Sequence, residues 1–292
     1  MLYIIKISMV KIIDCPRDAM QGLKTFIPTS KKIDYLNQLL KVGFDTLDFG
    51  SFVSPKAIPQ LRDTAKVVEA LEIDNTDTKL LAIVANERGA RDASEFDKIT
   101  YLGYPFSISE TFQIKNTHSD MKESMIKLDN IINIAEKKNK KVVVHIAMGF
   151  GNPYNDEWNI DIVNNYVNKL INNGIDTIIM SDTVGLSKKD TISQVFEFLI
   201  PQYPDIEFGA HFHTNPNTWY EKIDAAYKAG CRRYDGALKG FGGCPMSGYG
   251  LVGNMPTENI IYYMDKIGEE TGLDKKELNI AMQKAIDFFP EN

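Results

Sequence analysis

Apolar residues along this chain follow two alternating patterns. Short β-branched runs take turns with longer stretches in which apolar positions recur three and four apart. The first pattern fits buried strands and the second fits helices packed by one face. Residues 11–15 read as a first strand. Ser30 then offers a helix cap, and Ile33, Leu36, Leu39 and Leu40 follow at helical spacing until Gly43 stops the run. Residues 46–49 predict a second strand and 57–71 a helix. Residues 80–85 predict a third strand, with a short helix near Ala93. Residues 101–108 are a fourth, and Ser119 caps a long helix through Ile126, Ile131, Ile132 and Ile134. Residues 141–147, with three consecutive valines, are a fifth, followed by a helix over 161–171. Residues 177–181 are a sixth, and Ser187 precedes a helix through 195–199. Residues 206–213 are a seventh, 219–229 the helix after it, and 234–238 an eighth strand. Two helical stretches, after Pro256 and Asp274, finish the chain.

Eight strand–helix units with near-continuously apolar strands predict a parallel sheet with helices outside. The closed solution is an α/β (β/α)8 TIM barrel with extra C-terminal helices. An open, doubly wound sheet is the alternative. No G-x-G-x-x-G follows a strand to support dinucleotide binding. No low-complexity or Pro/Gly-rich linker divides the 292 residues, a length that one α/β barrel can reach. The expectation is a single catalytic domain over 1–292, the barrel covering about 11–255 and the terminal helices about 256–290.

Apolar residues make up 43% of the chain and charged ones 25%, ordinary for a globular protein with its own core. The net charge is −6 and no basic stripe speaks for nucleic acid or an anionic membrane. An acidic protein handling an anionic substrate needs a local positive device, an arginine or a metal ion. Three cysteines without regular spacing argue against a disulfide framework and for a reducing compartment. Residues 1–10 are apolar but short, with Lys6 inside them, so neither a membrane span nor a leader is expected and the protein is expected to be cytoplasmic.

The seventh strand candidate ends in Gly209-Ala210-His211-Phe212-His213. Two histidines two apart share a face on a strand, whereas a helix would separate them by roughly 200°. The pair reads either as a metal-ligand pair or as two satisfied core histidines. Other polar residues fall after strands, where a barrel gathers its chemistry. They are Arg17, Asp18 and Gln21, then Asp48, Asn86, Ser109 with Glu110, and Asp182. After the eighth strand runs a glycine-dense loop, 240–254, that holds Cys244. Asp18, His211 and His213 give one carboxylate and two imidazoles, a mixed N/O set suited to a divalent ion such as Mg²⁺, Mn²⁺ or Zn²⁺ with positions left for substrate. No thiolate pair accompanies them, which argues against a structural zinc site.

From about residue 11 to 271 the chain resembles 3-hydroxy-3-methylglutaryl-CoA lyases, within the superfamily of metal-dependent lyase and Claisen-synthase barrels. The residues that carry the resemblance are Pro16-Arg17-Asp18 with Gln21, Ser51-Phe52-Val53-Ser54-Pro55-Lys56 with Pro59-Gln60, and Asp182-Thr183-Val184-Gly185. The His211/His213 pair, Gly242-Gly243-Cys244-Pro245, and Gly253-Asn254 with Thr257-Glu258 complete it. The resemblance implies metal ligands Asp18, His211, His213 and Asn254 for Mg²⁺ or Mn²⁺. It implies a retro-Claisen cleavage of the tertiary alcohol thioester to acetyl-CoA and acetoacetate, as in leucine degradation. Arg17 would stabilise charge on the thioester oxygen, Cys244 would protonate the enolate, Asp182 would move a proton near the hydroxyl, and Glu258 would help order the loop or the site. Asp48 joins these as a catalytic candidate, and Arg17, Gln21, Asn86 and Ser109 as substrate contacts. Lys239 and the Arg232-Arg233 pair are candidates for the CoA nucleotide, with surface solvation as the plainer reading. The expected partner is a small acyl-CoA, and a homodimer is expected from the resemblance. Two positions depart from the pattern: Asp48 stands where a glutamate is typical, and Thr214 where an aspartate is. Two other readings stay open, a synthase condensing acetyl-CoA with a 2-oxo acid, and a non-catalytic barrel that binds a CoA ester.

Overall fold

Eight parallel strands close on themselves in the computed structural model, which describes residues 9–243 and 252–289. They are β1 (Lys11–Asp14), β2 (Thr46–Ser51), β3 (Lys79–Ile83), β4 (Ile99–Ser107), β5 (Lys141–Ala147), β6 (Thr177–Asp182), β7 (Glu207–Thr214) and β8 (Arg233–Gly236). Each pairs with the next, and β8 returns to β1. The helices are α1 (Pro16–Gln21), α2 (Thr29–Val42), α3 (Thr64–Ala70), α4 (Glu87–Ser94), α5 (Glu110–Thr117), α6 (Met121–Lys137), α7 (Ile160–Asn172), α8 (Lys189–Gln202), α9 (Trp219–Lys228), α10 (Thr257–Ile267) and α11 (Lys275–Phe288). A two-residue strand, β9 (Gly253–Asn254), runs antiparallel to the end of β7. The (β/α)8 barrel with C-terminal helices is therefore the fold. Among the described residues no helix is long and apolar enough to cross a membrane.

The strands read as continuously apolar because both their faces are covered. Every residue of β2 and of β6 is buried. Outward side chains join the large core under the helices, with Leu36, Leu39, Val167 and Leu199 among its members. Inward ones form a separate cluster of Leu81, Ile83, Val143 and Ile179. Gly209 explains itself here. A Cβ at that position would lie 2.6 Å from Ile179 Cδ1 and 3.0 Å from Arg233 Cδ, so glycine makes room for Arg233 inside the barrel. Arg233 reaches the N-terminal mouth, where it pairs with Glu207 at 3.2 Å and faces Asp45 at 3.7 Å, and Lys11 pairs with the same Glu207.

The helix expected over 57–71 is split: a 3₁₀ turn over Pro59–Leu61 precedes α3. Proline lacks the N–H that a helix interior needs and is favoured in a first turn. Asp120, one residue past Ser119, caps α6, and its side chain and that of Glu123 bond reciprocally to each other's backbone N–H. The eighth strand ends at Gly236 rather than 238, because Leu238–Gly240 forms a 3₁₀ turn. Two short helices, α1 and α5, have no counterpart in the sequence reading.

Candidate metal centre

The C-terminal mouth is built from the bottom up by β1 and β7. Pro16 starts α1 directly after β1, and the short helix buries both Arg17 and Asp18. On β7 the strand alternation turns Phe212 outward into the large core and His211 and His213 inward. Asp18 Oδ2 lies 4.0 Å from His211 Nε2 and 3.9 Å from His213 Nε2, beyond hydrogen-bond distance of both. One donor atom from each of the three residues lies within 4.8 Å of the other two. Asn254 comes to the same place because β9 pairs it with His213. Its amide nitrogen donates to the Phe241 carbonyl at 2.9 Å. Gly242 seats this loop against α1. With φ of 84°, a Cβ there would lie 2.6 Å from Ala19 Cα and 2.8 Å from the Asp18 carbonyl.

Two oxygens of the cluster, Asp18 Oδ2 and Asn254 Oδ1, are buried without a hydrogen-bond partner among the described residues. Leaving such groups unsatisfied costs free energy, and a cation among them removes that cost. The donor set, carboxylate, amide oxygen and two imidazoles, is the one expected for a divalent ion. The residues present therefore fit a metal. Burial disfavours an ionised Asp18, but the Arg17 guanidinium and the two imidazoles outweigh it and hold this carboxyl well below the usual range. Burial likewise lowers the His211 pKa, and Asp235 and Asp18 together outweigh that and raise it.

Arg17 is the cation of the site. Its Nε lies 3.1 Å from both Asp48 oxygens and its Nη2 2.5 Å from Asp48 Oδ2. Its Nη1 donates to Asp18 Oδ1 at 2.9 Å and to Gln21 Oε1 at 3.1 Å. Gln21 in turn donates to Asp18 Oδ1 at 2.5 Å. Burial opposes the charge on Arg17, yet the two carboxylates raise its pKa further. Of its five N–H groups, one on Nη2 remains without a partner among the described residues.

Arg17, Asp18, Gln21, Asp48, His211, His213 and Asn254 thus come together, and other sequence candidates do not. Asp182 pairs in register with Phe212, so its carboxylate faces outward. There it takes the Ser187 N–H at 3.2 Å, the Ser187 hydroxyl at 2.5 Å and Lys222 Nζ at 2.6 Å. Asn86 caps α4 by accepting from Gly89 N–H at 2.9 Å. Ser109 caps α5, accepting from Phe112 N–H at 3.2 Å and donating to Asp156 at 2.5 Å. Glu258 accepts from the Lys239 N–H at 3.0 Å, at the start of the loop after β8. Lys239 Nζ lies 4.0 Å from the same carboxylate. Arg232 donates to the Tyr227 and Cys231 carbonyls, and Arg233 points to the opposite mouth, so neither arginine faces the site. Cys244, with Pro245, Gly248 and Gly250, lies outside the described residues.

Three further residues have no place in the sequence reading: Asp235 and Asp14, both buried, and the half-buried His145. Asp235 on β8 is 3.3 Å from His211 Nδ1. His145 on β5 is 4.0 Å from Asp235. Asp14, at the outward-facing end of β1, accepts from Thr257 Oγ1 at 2.5 Å and Leu238 N–H at 3.1 Å. The signal for Asp235 is its place next to the C-terminal end of the eighth strand, which a strand over 234–238 conceals and the observed Arg233–Gly236 reveals.

Fold and centre together define a (β/α)8 barrel whose C-terminal mouth is shaped to hold a divalent cation beside a buried arginine. The HMGL-like family model matches residues 9–284, and the chain belongs to that family. A hydroxymethylglutaryl-CoA lyase of Bacillus subtilis is 32% identical over 263 residues, covering 90% of this chain and 87% of the relative. The cytoplasmic 3-hydroxy-3-methylglutaryl-CoA lyase of Rattus norvegicus is 30% identical over 268 residues, covering 91% and 77%. A solved HMG-CoA lyase of Acinetobacter baumannii, in complex with coenzyme A and 3-methylmalate, superposes with a TM-score of 0.88 at 29% identity, over 96% of this chain and 91% of that one.

Proposed function

We propose that this protein is a divalent-metal-dependent carbon–carbon lyase that cleaves 3-hydroxy-3-methylglutaryl-CoA to acetyl-CoA and acetoacetate. The observation that carries this reading is the pair of buried oxygens, Asp18 Oδ2 beside His211 and His213 and Asn254 Oδ1 on the residue paired with His213, that have no hydrogen-bond partner among the described residues. The relatives that act on this thioester support the choice of substrate.

Asp18, His211, His213 and Asn254 hold Mg²⁺ or Mn²⁺ in this reading. When bound, the ion supplies Lewis acidity to the substrate's hydroxyl and carboxylate oxygens. Loss of the hydroxyl proton to a base lets the C2–C3 bond break. Its electron pair passes into the thioester as an enolate, and C3 becomes the ketone of acetoacetate. Arg17 opposes the charge growing on the thioester oxygen with the Nη2 N–H that has no partner among the described residues. Asp48 and Gln21 fix the guanidinium plane, so that little reorganisation is needed as charge develops. Protonation of the enolate carbon completes acetyl-CoA, with Cys244 the proposed donor on the strength of the G-G-C-P motif. Asp182 acts through position: by holding Ser187 and Lys222 it fixes the turn after β6 and, through the His213 carbonyl, the end of β7.

The test is acetoacetate release from the thioester by metal-stripped protein, before and after adding Mg²⁺ or Mn²⁺. Release that depends on added metal is expected, and Cys244→Ala should abolish most of it while leaving metal binding intact. An (R)-citramalyl-CoA lyase of Chloroflexus aurantiacus, 25% identical over 282 residues, acts on a thioester one methylene shorter. Pyruvate release from that thioester, with no acetoacetate from the longer one, would move the substrate assignment there. Free thiol released from acetyl-CoA and a 2-oxo acid would instead favour a synthase. Binding of CoA esters without turnover of any would overturn the enzymatic reading.

A further inference from the structure

We propose that Asp235 is a positioning residue for His211: its carboxylate accepts the Nδ1 proton of that imidazole and turns the unprotonated Nε2 toward the metal centre. The inference rests on the metal-dependent reading above and assigns the layer beneath the ligands.

The two nitrogens of His211 face different groups. Nε2 looks to Asp18 Oδ2 at 4.0 Å, and Nδ1 to Asp235 Oδ2 at 3.3 Å. The strand register produces this, since β8 sets Asp235 beside His211 in the sheet. A neutral imidazole carries one proton, and an ionised carboxylate can only accept, so the proton belongs on Nδ1. That leaves a lone pair on the nitrogen that faces Asp18. A histidine ligand commonly needs such a partner to fix its tautomer and ring plane. Asp235 is 3% exposed. Its other titratable neighbours are Arg233 on its own strand, His145 on β5, Asp48 on β2, Cys15 between β1 and α1, and Cys231 before β8. Asp235 Oδ2 lies 4.0 Å from His145 Nδ1, a longer approach than to His211.

Cys15, His211 and Asp235 also bring one donor atom each within 4.8 Å of the others, so a second ion is the rival reading of this layer. It would require His211 Nδ1 as a ligand and a thiolate in place of the buried Cys15 thiol. The contact from Asp235 to Nδ1 needs neither.

The experiment titrates Mn²⁺ calorimetrically into metal-stripped wild type, Asp235→Asn and Asp235→Glu proteins. The expected result is one ion per chain, affinity about 10- to 100-fold weaker in Asp235→Asn, and partial recovery in Asp235→Glu. Excess Mn²⁺ should restore much of the lost turnover. The four histidines also permit ¹⁵N-histidine spectra of the metal-free wild type, with His211 assigned by its loss in His211→Gln. At a pH where the ring is neutral, His211 should be the Nδ1–H tautomer. An Nε2–H tautomer in the wild type overturns the proposal without any variant at position 235. Equal Mn²⁺ affinity in Asp235→Asn overturns it too, and two ions in the wild type with one in the variant overturn it in favour of a second site. Wild type that binds no Mn²⁺ removes the metal-dependent reading as well, whereas unchanged binding in the variants removes this inference alone.

Discussion

Asp182 and Lys222 form a salt bridge at 2.6 Å with both side chains almost wholly buried. Lys222 also donates to the Gly185 and His213 carbonyls, at 3.1 and 2.9 Å. Removing one partner of such a pair leaves an uncompensated buried charge, at a cost of about 3–5 kcal/mol. Asp182→Asn should therefore lower the melting temperature by roughly 10 °C. Adding Lys222→Met to it should recover part of the loss, because the stranded charge is gone. Differential scanning calorimetry of the two variants reads this directly, and an unchanged melting temperature in Asp182→Asn would refute the positioning role. The sequence could not separate this aspartate from Asp18. The H-x-H pair was legible because its shared face needs only the alternation of one strand. The direction of Asp182 depends on its register against Phe212 and on a lysine 40 positions away, which no local pattern carries.

Helix caps and strand ends decide how the mouth is framed. Ser109 and Asn86 follow strands, as ligand-binding residues of a barrel do, yet each satisfies the first turn of its own helix. Ser109→Ala should cost about 0.5–2 kcal/mol of stability in urea unfolding, and it should leave the Michaelis constant where it was. A large rise in that constant with intact stability would return Ser109 to the substrate. Asp14 ties the end of β1 to the start of α10 and to Leu238. Burial, reinforced by the charges of Glu258 and Asp48 and only partly opposed by the Thr257 and Leu238 bonds, pushes its pKa up to about 7. The folded state thus holds this proton more tightly than the unfolded chain does. The stabilisation is full below the unfolded value near 4, falls as pH rises, and is gone above about 7. The gap between the two values corresponds to about 4 kcal/mol. Asp14→Asn keeps an acceptor for Thr257 and Leu238 but has no charge to bury. Urea unfolding at about pH 5 and about pH 8 should show the variant gaining on wild type at the higher pH, and a constant difference would refute the assignment. The long apolar runs were legible as strands and helices because burial on both faces, or on one, writes a period into the sequence. The six residues of α1 are too few to show one, although they carry Arg17 and Asp18. The pairing of Asn254 with His213 joins positions far apart in the chain and left no periodic trace.

At the scale of the molecule, the closed sheet has an apolar cluster within it and a larger one outside, so its folding does not depend on an ion. This differs from small metal domains, whose folding free energy is the binding free energy. The mouth is another matter, since two buried oxygens there, Asp18 Oδ2 and Asn254 Oδ1, have no hydrogen-bond partner among the described residues. An ion that binds only the folded state adds about 2.7 kcal/mol when present at 100 times its dissociation constant. For a chain of this size that corresponds to a rise in melting temperature of roughly 5 °C or somewhat more. Chelation should therefore leave the far-ultraviolet circular dichroism unchanged while lowering the melting temperature by that amount, and added Mn²⁺ should reverse it in a concentration-dependent way. His213→Ala should melt at a temperature that responds weakly to Mn²⁺, because one imidazole of the set is missing. Asn254→Ala should do the same, losing an oxygen that has no other partner among the described residues. A wild-type melting temperature indifferent to Mn²⁺ at concentrations that restore turnover would mean that the ion acts elsewhere. The buried oxygens of Asp18 and Asn254 would then need a different occupant, one that neutralises a carboxylate in a dry site without being a metal.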